Sequence, residues 1–370
     1  MWAMIHALLI KEFLAVLRDR KSRFILIGPP MIQLFIFSYA ATFDLSHIPI
    51  AVYNEDPSVA SRDFIERFTA APAFTEVLRI TRQEQIAPAI DEKKVLAVLH
   101  LGPHFSRDLY LGRKPAEVQI LVDGRDSNTA LIALNYIQSI VAAFNLDWAE
   151  RHRLPLPPAQ LQIRAWFNPN LESQWFIVSG IVGLLTQVVT VIVTALSIAR
   201  EREQGTFDQL LVTPLTPFQI LVGKALPAMI IGILEASFII FMAVFWFKIP
   251  MIGSLAALYL GVVLFVLANI GIGLMISSLS VTQQQSLLGA FLFLVPSVIL
   301  SGFATPIANM PPFVQELTLL NPLRYFLVIV RGVFLEGLPM SVLLSQYWPL
   351  AVIGIVTLIC ASWLFRWRMY

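Results

Sequence analysis

Cysteine is nearly missing from this sequence. Cys360 is the single one in 370 residues and lies inside an apolar run, so the chain builds neither a disulfide framework nor a cysteine-rich metal site. Charge is scarce as well: 14% of residues are charged, against roughly 25% in an ordinary soluble domain. With a net charge of +2 and no basic block, nothing points to a nucleic-acid partner. No phosphate-binding loop is present. Gly223-Lys224 lacks both the upstream glycine and the following Ser or Thr that such a loop needs. No Ser-His-Asp or Cys-His set stands out, so no catalytic residues are expected. The charged N-terminus leads into no short apolar core with a small-residue cleavage site, and no cleavable signal peptide is expected.

Apolar residues fill the space that charge leaves: they make up 57% of the chain, and the mean hydropathy is +0.73. Residues 1–23 are amphipathic. Trp2, Ile5, Leu9 and Phe13 recur at near-helical spacing, and Lys11, Arg18, Arg20, Lys21 and Arg23 crowd the end, as in a helix lying on an anionic leaflet. Six runs are long enough to cross a bilayer: 24–43, 175–198, 220–247, 254–276, 286–302 and 350–365. Pro29-Pro30 is expected to kink or interrupt the first. The basic cluster before it puts the N-terminus in the cytoplasm. Residues 44–174 are then outside. They alternate strand-like and helix-like stretches: strands 48–53, 74–80, 95–101 and 118–122, helices 58–68, 81–93 and 126–151, and a stretch 161–167 that closes the sheet. Thr81 and Glu84 cap the second helix. Leu131, Leu134, Ile137 and Val141 share one side of the third. This is a compact α+β domain between the first two spans. Residues 277–285 are a short polar loop. Residues 319–334 are apolar enough to tempt a seventh span. They carry Arg324 and Arg331, however, and an arginine at mid-membrane costs about 2.5–3.5 kcal/mol. Within 303–349 they are expected to form a re-entrant or interfacial helix pair. The tail 366–370 is cytoplasmic.

The chain is organised around residues 199–219, between the second and third spans. Arg200, Glu201, Arg202 and Glu203 alternate in sign, and Gly205 breaks the helix. Thr206 and Gln209 have the spacing of a capping box, starting a short helix at Phe207. Phe207, Leu210 and Leu211 share one face of it, and Thr213-Pro214 ends it. Thr216 and Gln219 repeat the device with Pro217 at the first helical position. The string E-R-E-x-G-T, then L-L-x-T-P, then G-K at Lys224, resembles the loop between the second and third membrane helices of ABC-2 type exporter permeases. The layout of the whole chain resembles their long form with a large periplasmic domain, a group of multidrug and cation exporters. The resemblance implies a coupling helix that docks on a separate ATPase. It places Phe207, Leu210 and Leu211 as knobs in a groove of that partner, with Glu201, Arg202 and Glu203 bracing the base.

The implied fold is an all-α membrane domain of six spans with an inserted α+β extracytoplasmic domain, in a bacterial inner membrane, both termini cytoplasmic. The implied partners are two ATPase subunits, a second permease (a copy or a relative) and, in double-membrane bacteria, a periplasmic adaptor and an outer-membrane channel. ATP and magnesium belong to the ATPase, so no cofactor is expected on this chain. Drugs, cations and lipid-like molecules are the implied cargo. Two other classes remain open: a membrane-anchored envelope sensor without transport, and an ion-coupled carrier.

Candidate residues for a translocation path are few. Glu235 lies near the middle of the third span, where ionisable groups are costly. It either faces the path, attracting cations or carrying a proton, or is held by a polar neighbour such as Gln187. Asn269, with Gly273 and Ser277, lines one face of the fourth span, a pattern suited to close helix contact. Phe291, Phe293 and Phe303 line an apolar cleft or face lipid. His100 and His104 flank Gly102-Pro103 and, with no acidic partner at the right spacing, are expected to be loop histidines without a metal.

Overall fold

A computed structural model of the chain describes residues 10, 11, 13, 20–40, 45, 47–112, 114–154, 166–169, 172–207 and 216–367. Two compact units emerge: Phe43–Arg164, and Met1–Thr42 together with Ala165–Tyr370. The expected strand at 161–167 lies largely outside the described residues, as does most of the N-terminal amphipathic stretch; Ile10, Lys11 and Phe13 are helical. The first long helix, α1 (Arg20–Ala40), runs through Pro29 and Pro30 without a break, so of the kink or interruption expected there the interruption does not occur.

The Phe43–Arg164 unit holds a four-stranded sheet. Its elements are β1 (Ile48–Asn54), α2 (Val59–Thr69), β2 (Phe74–Ile80), α3 (Ile86–Asp91), β3 (Ala97–Leu101), α4 (Phe105–Leu111), β4 (Val118–Val122) and α5 (Ser127–Arg151). Strand order is β2-β1-β3-β4, with β1 parallel to both neighbours and β4 antiparallel to β3. Successive side chains alternate faces. Ile48, Ile50, Val52, Ala97, Leu99 and Leu101 pack with Phe64, Phe68, Ile137, Phe144 and Trp148 on one side. Ala51, Tyr53 and Val98 pack with Ile86 and Ala89 of α3 on the other. Asp126 caps α5 by accepting from Thr129 N.

Two local expectations fail here. The buried side of α5 is Ala130, Ala133, Ile137, Phe144 and Trp148 with Val141 packed against it, so Ile137 and Val141 lie where expected, whereas Leu131 is 61% exposed. Aromatic residues two turns further along outweigh the leucines in choosing the face. The helix expected over 81–93 is a 3-10 turn, Gln83–Gln85, followed by α3. Gln85, not Glu84, does the capping: its Oε1 accepts from Thr81 N at 3.1 Å and Arg82 N at 3.3 Å.

The helical unit continues with α6 (Ser173–Glu203), α7 (Pro217–Phe245), α8 (Leu255–Leu279), α9 (Gln283–Ile299), α10 (Pro312–Leu317), α11 (Pro322–Arg331) and α12 (Met340–Trp367). By length and composition, α6, α7, α8 and α12 are fit to cross a membrane, while α9 is apolar but shorter. Residues 129–151 of α5 pass the same test. Its apolar side is occupied by the sheet, however. The pair Pro312–Leu320 and Pro322–Glu336 bends by 82° at Asn321. Asn321 Oδ1 accepts from Leu323 N to cap the second half. Three boundaries move. Ser277 and Ser278 belong to α8, so the polar loop shrinks to Ser280–Thr282, with Thr282 capping α9. The last helix starts at Met340, ahead of the expected 350, and passes through Pro349. Polar Ser345, Gln346 and Tyr347 lower the hydropathy there without ending the helix; Tyr347 Oη donates to Ala257 O at 2.8 Å.

Close backbone approach holds α8 between its neighbours. A Cβ on Gly273 would fall 1.8 Å from Thr194 Oγ1 of α6, and one on Gly271 would fall 2.2 Å from Thr357 Oγ1 of α12. Small residues at such crossings let membrane helices pack where no hydrophobic force draws them together.

Candidate functional site: the base of the α6–α7 connection

The end of α6 is built as a stop. Gly205 adopts φ +68°, its N–H donates to Arg202 O and Thr206 N–H donates to Glu201 O, which is the double bond pattern of a glycine-terminated helix. Thr206 Oγ1 donates to Glu201 O as well. Residues 208–215 lie outside the described residues, and with them Leu210, Leu211, Thr213, Pro214 and the partner expected for Thr206, Gln209. The chain resumes at Thr216, which forms the reciprocal cap with Gln219 at the start of α7.

Each residue at this base reaches a different helix. Glu201 is buried and bridges two ammonium groups: Lys224 Nζ of α7 lies 2.8 Å from Oε2, and Lys11 Nζ lies 2.8 Å from Oε1. The Lys224 side chain is 0% exposed. Such a charge is retained in an interior only with a partner. Arg202 Nη1 donates to Ser278 O at 2.8 Å and Ser280 O at 3.0 Å, capping the carbonyl end of α8. The Glu203 carboxylate accepts from Gln283 N at 2.7 Å, at the amino end of α9 where the helix dipole favours an anion. Phe207 meets Phe365 of α12 edge-on at 6.0 Å and lies under the Arg202 guanidinium. That ring is buried, so Phe207 anchors the segment to its own chain and is not a knob free for a partner's groove. Ser278, Ser280, Gln283 and Phe365, and the pairing of Lys11 with Glu201, leave no local signal in the sequence, because 76 to 190 positions separate several of these residues from their partners.

The expected path residues do not converge. Among the described residues, no hydrogen bond or ion pair joins Gln187, Glu235, Asn269, Phe291 and Phe293 to one another. Gln187 Nε2 donates to Ser297 Oγ at 3.0 Å, and Ser297 Oγ donates to Asn321 Oδ1 at 2.8 Å. Gln187 is therefore not the neighbour that holds Glu235. Both Glu235 carboxyl oxygens are buried with no hydrogen-bond partner among the described residues. Asn269 Nδ2 donates to Phe265 O of its own helix. Phe291 is 55% exposed, and Phe293 packs beside Val191, Ala195, Ala290 and Leu294.

In the sheet unit, His100 lies on β3 and not in a loop, and it has an acidic partner. Its Nε2 is 2.9 Å from Glu55 Oε2, its Nδ1 is 2.9 Å from Gln119 Oε1, and its ring stacks on Tyr53. Among the described residues no group of three or more His, Cys, Asp or Glu is placed to hold a metal ion.

Long apolar helices, a bent helix pair and a short charged connection whose base grips the ends of four helices define a multi-pass membrane permease. The chain belongs to the ABC-2 transporter family: the family model described as "ABC-2 family transporter protein" matches residues 21–363. It is 40% identical to the probable multidrug ABC transporter permease YbhR of Escherichia coli K12, over 99% of this chain and 98% of that protein. Identity to YbhS of the same strain, also described as a probable multidrug ABC transporter permease, is 33% over 91% and 89%. The linearmycin resistance permease protein LnrN of Bacillus subtilis is 21% identical over 88% and 90%.

Proposed function

We propose that this chain is the membrane subunit of an ATP-driven exporter in a bacterial inner membrane. It pairs with a second permease, carries six spans and works with two copies of a separate ATPase that hold ATP and magnesium. Both termini face the cytoplasm, residues 44–174 face the periplasm, and a periplasmic adaptor with an outer-membrane channel completes the route in double-membrane cells. The cargo class is drugs, cations or amphipathic molecules, in keeping with the descriptions of YbhR and YbhS.

One observation carries this reading: Glu201, Arg202, Glu203 and Phe207 tie a single short connection to α7, α8, α9 and α12. A push on that connection moves four helix ends at once, as rigid elements. A mere turn has no need of such ties. Leu210 and Leu211 remain the knobs for the ATPase. Burying each contributes on the order of 1.5–3 kcal/mol. Leu210→Asp is therefore expected to leave membrane insertion intact, to weaken ATPase co-purification roughly ten- to hundredfold and to abolish substrate-stimulated ATP hydrolysis. A variant that docks and couples like the unaltered chain removes the coupling role. Transport that persists without any ATPase subunit points instead to an ion-coupled carrier built on Glu235.

Topology has its own test. With Cys360 replaced by serine, an impermeant thiol reagent applied from outside is expected to label a cysteine at Ser127 and to miss one at Thr213. The reverse pattern inverts the arrangement.

A further inference from the structure

Arg331 ends α11, and its guanidinium lies 4.0 Å over the ring of Phe176 on the first turn of α6. Phe176 stacks in parallel on Phe303 at 6.1 Å. Phe303 lies against α6 where Gly180 has no side chain, since a Cβ there would fall 2.2 Å from the ring. The stack covers one face of the guanidinium and fixes its plane. Nε and Nη2 of Arg331 are both buried, and neither has a hydrogen-bond partner among the described residues. These two N–H groups share one edge of the guanidinium. That edge grips a carboxylate or phosphate through two parallel bonds. Arg324, earlier on the same helix, is already engaged: its Nη1 donates to Thr318 Oγ1.

The depth of this fork narrows the ligand. Phe176 and Glu203 are 27 residues apart on one helix, about 40 Å at 1.5 Å per residue. That is close to the roughly 40–45 Å of a bilayer with its headgroups. With the Glu201–Glu203 end of α6 at one surface, Arg331 stands at the phosphate level of the other. We propose that Arg331 is a binding site for the phosphate group of an amphiphile, held by Nε and Nη2 while the acyl chain stays in the bilayer. The fork is sealed here, so engagement requires α11 to shift on Phe176. The inference needs only that α6 crosses the membrane, and does not depend on which cargo is exported. The amphiphile is either a resident bilayer phospholipid or a phosphate-bearing molecule in transit.

The complex with its ATPase, purified in maltoside detergent, tests this with phosphatidylglycerol and dodecyl phosphate as probes, read by native mass spectrometry. Arg331→Gln is expected to weaken retention of at least one probe about tenfold or more, the loss of a charge-assisted fork. Arg331→Lys keeps the charge but loses the fork, and is expected to fall between the two. If Arg331→Gln fails to assemble, Arg331→Lys and Phe176→Leu carry the test. Loss of phosphatidylglycerol retention alone identifies a resident lipid. Loss of dodecyl phosphate retention, with loss of its stimulation of ATP hydrolysis, identifies transiting cargo. Equal retention by the unaltered chain and the assembled variants overturns the site, as does failure of the unaltered chain to hold either probe.

Discussion

Within the helical unit, the end of α6 and the middle of α7 treat charge in opposite ways. At the α6 end, Glu201, Arg202 and Glu203 each reach a named group on another element, and even the fully buried Lys224 has its carboxylate. At the middle of α7, Glu235 buries both oxygens with no hydrogen-bond partner among the described residues. Paired charge in the first region is structural, because it joins helices whose apolar faces alone would leave their ends free. The Glu235 carboxyl in the second joins nothing among the described residues, and an ionisable group at that depth is costly to keep.

The sharpest way to break this contrast is to remove the shared carboxylate. Glu201→Gln leaves Lys224 buried without a counter-charge. Breaking a buried pair from one side costs about 3–5 kcal/mol, which corresponds to a fall in melting temperature of roughly 4–6 °C for a chain of 370 residues. Replacing Glu201 and Lys224 together by methionine is expected to recover most of that loss in thermal unfolding of the purified chain. If the single variant melts like the unaltered chain, the pair is not structural.

Glu235→Gln is expected to do the opposite. It removes no bond, so assembly, melting temperature and ATPase coupling stay near their starting values, while export of cationic substrates falls. Equal losses for neutral and cationic substrates would return Glu235 to a packing role and erase the contrast.

The smallest effect lies in the sheet unit, where charge is paired at the surface. Hydrogen bonds from Arg151, then Arg67, hold the Asp147 carboxyl down to about 2. A lowered carboxylate stabilises the fold above the unfolded value of about 3.9 and loses that contribution as pH falls toward 2. A shallow drop in melting temperature between about pH 4 and pH 2 is expected, and Asp147→Asn should flatten it. Glu55 is lowered the same way, first by its hydrogen bond to His100 and then by Tyr53. Its loss also falls on the acid side of the ordinary carboxylate range. An unchanged acid limb in Asp147→Asn would mean that these surface pairs add nothing measurable.

Periodicity carried much of the fold. The bounds of β2 and β4 agree with their alternation and propensity, and the 82° break at Asn321 falls in the stretch where Arg324 and Arg331 argued against a straight seventh span. Hydropathy failed where a helix turns polar without ending, as before Pro349, because it registers lipid and not backbone. His100 falls inside the strand expected over 95–101, and the expectation of a loop histidine fails because the Gly102-Pro103 turn begins only after Leu101 closes that strand. At the α6–α7 connection the alternating charges and the Thr216–Gln219 cap were legible. The partners of those charges were not, since ion pairs across 23 or 190 positions leave no local spacing to read.

The glycine contacts of α8 bear on how such a protein diversifies. Any side chain at Gly271 or Gly273 collides with α12 or α6, so the three helices form a block that tolerates little change where they cross. Change is expected to fall instead on surfaces that this block does not fix, such as the flanks of α7 and α9, where Leu234, Phe238, Leu288, Phe291 and Leu292 are exposed in the single chain. Lineages of this family that differ in what they export are expected to vary on those flanks and to keep the crossings constant.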